Sequence, residues 1–205
     1  TGIFVAKKRY ALNVYDNEGV RYSEPKLKVM GLEIVRSSTP APVRQSLRDA
    51  VALCLSADEQ ALQDFVENHW QEFKNMAPEK IAFPRGCNNL AKYTSSSSIY
   101  SKGTPIAVRG ALMYNHQLKG SKLTNRYELI KEGDKVKFLY LKEPNLIREN
   151  VISFMGKLPP EFDLHQYVDY EMMFEKAFVE PLNTITKSLK WNTRPVASLQ
   201  HLLFE

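Results

Sequence analysis

At Ser37-Ser38-Thr39-Pro40 the spacing of apolar residues changes from a period of two to one of about 3.6. Before this point, residues 3–15 and 20–36 read as two or three antiparallel strands. Asn17-Glu18-Gly19 supplies the turn between them, because glycine tolerates positive φ. After it, a hydroxyl cap followed by proline starts a helix whose face is Val43, Leu47, Ala50, Val51 and Cys54. Beyond Ser56, Leu62, Phe65, Val66, His69 and Phe73 mark a second helix. The two are expected to form an antiparallel hairpin, with the acids of the second facing outward.

From Pro78 to Thr104 the pattern weakens. Pro84-Arg85-Gly86 reads as a loop, and Ser95-Ser96-Ser97-Ser98 as a polar, mobile surface run. A third helix is expected from near Pro105, carrying Arg109. Residues 136–141 and 151–154 read as a small β-hairpin. Tyr167, Tyr170, Phe174, Phe178, Leu182, Ile185 and Leu189 then form the strongest helical stripe, more in keeping with a core than a stacking platform. Pro181 should kink or interrupt that helix, since it lacks the N–H for the intrahelical bond. The expected fold class is α+β: short antiparallel strands, then a mainly helical body with a small hairpin.

The 205 residues suffice for one large domain or two small ones with a real core. No apolar run approaches a membrane span and no signal peptide is present, so a cytoplasmic setting is expected. Cys54 and Cys87 fit no zinc or redox spacing, and His69, His116, His165 and His201 are scattered, so no metal site is expected. No Asp-x-Asp occurs. Asp169-Tyr170-Glu171 is the nearest approach, but helical residues two apart diverge. Two-metal phosphoryl transfer needs carboxylates holding ions about 3.5–4 Å apart, so no catalytic residue is assigned.

Charge is distributed unevenly. Residues 1–48 hold nine Lys and Arg against four acids, and residues 119–142 hold seven against three. Residues 58–79 reverse the sign, with six acids and one lysine. Such zoning suits a polyanion on one face, or simply solubility. In the first zone, Lys7-Lys8-Arg9-Tyr10 falls in a run that reads as strand. Alternation places Lys7 and Arg9 on one face and Lys8 and Tyr10 on the other. A lysine and a tyrosine at fixed spacing suit the minor groove, whose acceptors are similar at every base pair. A solvated basic sheet edge is the alternative.

Lys7-Lys8-Arg9-Tyr10, followed by Gly31-Leu32-Glu33-Ile34-Val35-Arg36-Ser37-Ser38-Thr39-Pro40, resembles the family B DNA polymerases, most closely the tailed-bacteriophage branch. Lys102-Gly103-Thr104-Pro105 through Arg109-Gly110-Ala111-Leu112 continues the likeness, as do Tyr167-Val168-Asp169-Tyr170 and residues 174–182. The resemblance implies the C-terminal part of such an enzyme: 1–38 as the palm edge, 39–190 as the thumb and 191–205 as a tail. It implies that Lys8 and Tyr10 contact the minor groove near the primer terminus, while Lys7 and Arg9 reach phosphates or palm elements. Ser37, Ser38 and Thr39 could receive a phosphate at a helix N-terminus or merely cap the helix. Arg109 beside Gly110 is a candidate phosphate contact, the glycine letting a nucleic-acid backbone come close. Lys119, Lys122, Lys135 and Lys137 are generic candidates.

The tail is similar to a motif that docks in the sliding clamp, with Leu199, Leu202, Leu203 and Phe204 as anchors, or else it packs on the thumb. The expected partners are primer–template DNA, the clamp and an N-terminal polymerase portion with exonuclease, fingers and palm. Mg2+ is expected in that portion and no cofactor in this chain. The resemblance runs through Thr1, so a split polymerase, a maturation or splicing product and a truncation are all open, the first preferred. In that reading the chain is inactive alone and works in the infected host's cytoplasm. The other reading is a stand-alone basic duplex-binding protein.

Overall fold

The computed structural model describes residues 1–195. The chain packs as two units: Thr1–Asn75 with the described part of Phe174–Glu205, and Met76–Met173. Both mix helices with a three-stranded antiparallel sheet, so the α+β class holds.

In the first unit, β1 (Gly2–Ala6), β2 (Arg9–Asn17) and β3 (Val20–Met30) form a meander in that order. Asn17 pairs with Val20 across Glu18-Gly19, both with positive φ (54° and 84°), the conformation that closes a two-residue hairpin in register with strand twist. Ile3 and Ala11 stand opposite each other and are buried. The sheet packs against α1 (Ala41–Ser56) and against the helix Glu180–Thr186. Val43, Leu47, Ala50, Val51 and Cys54 are the buried stripe of α1, as expected. Only Ala57 and Asp58 join α1 to α2 (Glu59–Phe73), and the Asp58 carboxylate accepts the Ala61 N–H as its cap.

Burial pushes the Cys54 thiol up to about 12, leaving it a small apolar side chain rather than a nucleophile.

The helix Tyr170–Phe174 runs into a π turn over Glu175–Val179 and then into Glu180–Thr186. Pro181 explains the π turn: its missing N–H and its ring cannot be fitted into regular α geometry, and the preceding turn widens. The widening also serves packing. Phe174, Phe178 and Leu182 recur every four residues, which drifts about 40° per step in an α-helix. A wider turn counters that drift, and all three are fully buried. Tyr167 departs from the expected stripe and lies in the 3-10 turn His165–Tyr167.

His69 sits among Phe65, Phe73, Phe174 and Phe178, with ring centroids 4.6 Å from Phe178 and 5.6 Å from Phe174. Its Nδ1 is 3.4 Å from the Ser46 hydroxyl, and its Nε2 has no hydrogen-bond partner among the described residues. Burial lowers its pKa, outweighing the opposite pull of Glu72 and Asp49. The unfolded chain therefore binds a proton that the folded chain resists. The stability contribution is whole above the unfolded value near 6.5 and falls away as pH drops toward the lowered folded value. We expect the melting temperature to fall between about pH 7.5 and about pH 5.5, and His69→Phe to flatten that dependence. Calorimetry at the two pH values checks this.

In the second unit, α3 (Pro78–Ile81), β4 (Phe83–Gly86) and α4 (Leu90–Tyr93) precede α5 (Ile106–Gly120), β5 (Lys135–Tyr140) and β6 (Val151–Phe154). The expected hairpin is there, but it is two-thirds of a sheet ordered β4-β5-β6. Pro84-Arg85-Gly86, expected as loop, lies in β4, which pairs with β5 from Phe83–Phe138 to Gly86–Lys135. Pro84 is tolerated because β4 is an edge strand. The ring of Phe83 stacks on Phe138 at 5.1 Å. Asp169 accepts the Met172 N–H and so starts the following helix, while Glu171 is exposed.

Candidate nucleic-acid interface

Lys7 and Lys8 are not inside a strand. Ala6 pairs with Arg9, so the two lysines are the whole turn of the β1–β2 hairpin. The alternation that placed Lys8 beside Tyr10 on one face therefore does not apply, because the chain reverses at Lys8. Both lysines are exposed, and Lys8 has φ 61°, a left-handed backbone normally left to glycine or asparagine. Tyr10 follows on the open face of the sheet, opposite Phe4 and Met30 in register, with its ring 5.9 Å from that of Phe4. The hairpin thus presents two ammonium groups at a tight tip and a half-buried tyrosine one step behind.

The second motif folds against this tip. Gly31 has φ 67°, and a Cβ built on it would lie 2.2 Å from the Lys8 carbonyl oxygen. Only glycine permits that approach. Arg9 spans the same gap. Its Nε donates to the Gly31 carbonyl at 3.2 Å, and its Nη2 donates to both Glu33 carboxylate oxygens at 3.1 and 3.2 Å. Arg36 lies 3.5 Å from the same carboxylate. The two motifs that carried the resemblance, some twenty residues apart in sequence, are therefore one structural site. Arg9, a candidate DNA contact by sequence, has its guanidinium engaged within the protein.

Ser37 is exposed, Ser38 half-buried and Thr39 buried. The N-cap of α1 is Pro40, with no side-chain bond, rather than one of these hydroxyl residues, and Pro42 removes a further amide from the first turn. The expected hydroxyl cap is thus corrected, and the helix end offers fewer N–H groups to an anion than the sequence implied.

Arg109 and Gly110 belong to the second unit. Arg109 donates to Asn150 Oδ1 at 2.8 Å and lies 3.4 Å from Glu149 Oε2, while Glu149 Oε1 accepts the Tyr100 hydroxyl. That hydrogen bond to Glu149 is the main cause of the raised Tyr100 pKa. Gly110 is buried, and what it lets come close is β6, not a ligand: a Cβ there would stand 2.4 Å from Ser153 Oγ and 2.7 Å from Ser153 N. Lys119, Lys122 and Lys135 are exposed, whereas Lys137 donates to the Glu79 carbonyl at 2.9 Å. Burial pushes the Cys87 thiol up to about 11. Among the described residues no three His, Cys, Asp or Glu side chains converge to hold a metal, and no helix is long and apolar enough to cross a membrane. Leu199, Leu202, Leu203 and Phe204 lie outside the described residues.

Similarity to known proteins runs through both units. The chain is 34% identical to the DNA-directed DNA polymerase of Enterobacteria phage T4, across 98% of its own length. It is 37% identical to that of Escherichia phage RB69, across 97%. The chain is a relative of phage DNA-directed DNA polymerase over one segment of that protein. It spans 22% of the length of each of these two relatives. No protein-family model matches it. What sequence alone did not reveal in this polymerase-related segment is Glu33 as the partner of Arg9. The signal was available, since Glu33 is the one acid in the second motif.

Proposed function

We propose that this chain is the palm-edge and thumb portion of a replicative family B DNA polymerase of the tailed-phage branch. It grips the primer–template duplex and supports processive synthesis; a separate N-terminal portion supplies exonuclease, fingers and the Mg2+-binding palm. The observation that carries this reading is the Lys7-Lys8 turn, held out by the second motif in a segment related to polymerases along nearly its whole length. Two ammonium groups on a fixed tip can enter a groove or approach phosphates without unfolding their support. Tyr10 adds a hydroxyl behind them. The tail residues Leu199, Leu202, Leu203 and Phe204 are proposed as the clamp anchor.

The test is the affinity of the chain for a primer–template duplex as a function of salt. Each phosphate neutralised by Lys or Arg contributes about 0.9 to the negative log–log slope. We expect weak, salt-sensitive binding by the chain alone, with a shallower slope when Lys7 and Lys8 are both changed to alanine. Tight binding with primer extension is expected only once the N-terminal portion is added; tight binding unaided marks a stand-alone duplex-binding protein instead. Binding absent at low salt, or a slope indifferent to both lysines, contradicts the proposal. With the sliding clamp added, Leu199→Ala with Phe204→Ala should abolish any clamp-dependent gain and leave duplex affinity alone.

A further inference from the structure

We infer that Arg9 and Glu33 are a positioning pair: they hold the backbone of the Lys7-Lys8 turn against Gly31 so that the Lys8 side chain is presented to the duplex. This rests on the proposed duplex grip and gives Arg9 a different role from its basic neighbours. The guanidinium is bound on two sides, by the Gly31 carbonyl and by both oxygens of Glu33. The side chains are 29% and 21% exposed, so the fork is partly shielded from water and salt. The same Gly31 whose carbonyl Arg9 holds packs its Cα against the Lys8 carbonyl. Lys8 itself is in a left-handed conformation that a lysine does not favour alone. A residue in such a conformation persists where its surroundings over-determine it. Arg9, Gly31 and Glu33 are those surroundings. Arg36, on the same carboxylate, leaves Glu33 shared between two cations.

The inference makes a prediction opposite in sign to simple electrostatics. Glu33→Gln removes a negative charge from a basic surface, which by charge alone should tighten DNA binding. If Glu33 acts through the turn, the substitution weakens binding, by about fivefold for a partly exposed charge-assisted fork. Arg9→Lys is the second arm. Lysine keeps the positive charge and could still meet a phosphate, but it cannot reproduce the two-sided fork. We expect Arg9→Lys to weaken binding as much as Arg9→Gln, with the salt slope of each unchanged. The double variant Arg9→Gln, Glu33→Gln should be no weaker than either single one.

Amide hydrogen exchange in the free chain is read alongside. Both single variants should speed exchange at Leu32 and at the Ala6–Arg9 turn. Tighter binding by Glu33→Gln, or rescue by Arg9→Lys with a slope about one unit shallower in Arg9→Gln, would make Arg9 a phosphate contact and overturn the inference. Should the unsubstituted chain not bind duplex at all, the duplex-grip reading fails. The exchange data then decide the pair alone: unchanged protection in Glu33→Gln overturns it.

Discussion

Replacing Gly110 by alanine is expected to destabilise the second unit by about 2 kcal/mol or more, even though alanine is the better helix former by about 1 kcal/mol. The reason is contact. α5 crosses β6 at Gly110 so closely that a methyl group would lie 2.4 Å from Ser153 Oγ, 2.7 Å from Ser153 N and 3.0 Å from the Ile152 carbonyl carbon. Two of these atoms are backbone and cannot swing aside. The Ser153 hydroxyl is tied by donating to the Ala107 carbonyl at 2.8 Å. Gly110→Ala with Ser153→Ala should recover only part of the loss, since the backbone contact remains. Denaturant midpoints of Gly110→Ala, Ser153→Ala and the double variant measure this, and a Gly110→Ala protein as stable as the parent would show that the helix–strand contact is not close.

Gly31→Ala is expected to be comparably costly, at about 2–4 kcal/mol, and to act on the turn as well as on stability. Its φ of 67° disfavours any Cβ, and the methyl would meet the Lys8 carbonyl oxygen at 2.2 Å. Gly19 supplies the control. It has φ 84° but nothing within 4 Å of a built Cβ, so Gly19→Ala carries the backbone cost alone. The excess of Gly31→Ala over Gly19→Ala isolates the contact with Lys8, and equal losses would contradict it.

These contacts also mark where the sequence is legible. The Glu18-Gly19 turn, α1, α2, α5 and the β5–β6 pair follow from local signals, namely a glycine, a stripe or an alternation. The Lys7-Lys8 turn carries no glycine or asparagine; its reversal is held by Gly31 and Glu33, some twenty residues along the chain, through Arg9 beside the turn. β4 was hidden for a similar reason. Pro84 and Gly86 read locally as a loop, and only pairing with residues some fifty positions later makes them a strand. Pro181 announced an interrupted helix, but the form of the interruption depended on the packing of Phe174 and Phe178. For the interface, the residue types were evident and their engagement was not. Arg9 looks like one more cation until Glu33 and Gly31 are seen to hold it, and Gly110 looks like room for a ligand until β6 is seen to fill it.

In the proposed duplex grip, the Lys8 tip enters the minor groove near the primer terminus. Primer–template in which adenines near the primer terminus are replaced by 3-deazaadenine lacks the minor-groove N3 acceptor and keeps the major-groove edge. The account predicts weaker binding of the chain to this duplex, with no further loss on Lys8→Ala, because the lysine and the acceptor form one contact. Equal affinity for both duplexes, or full additivity of the two changes, would contradict it.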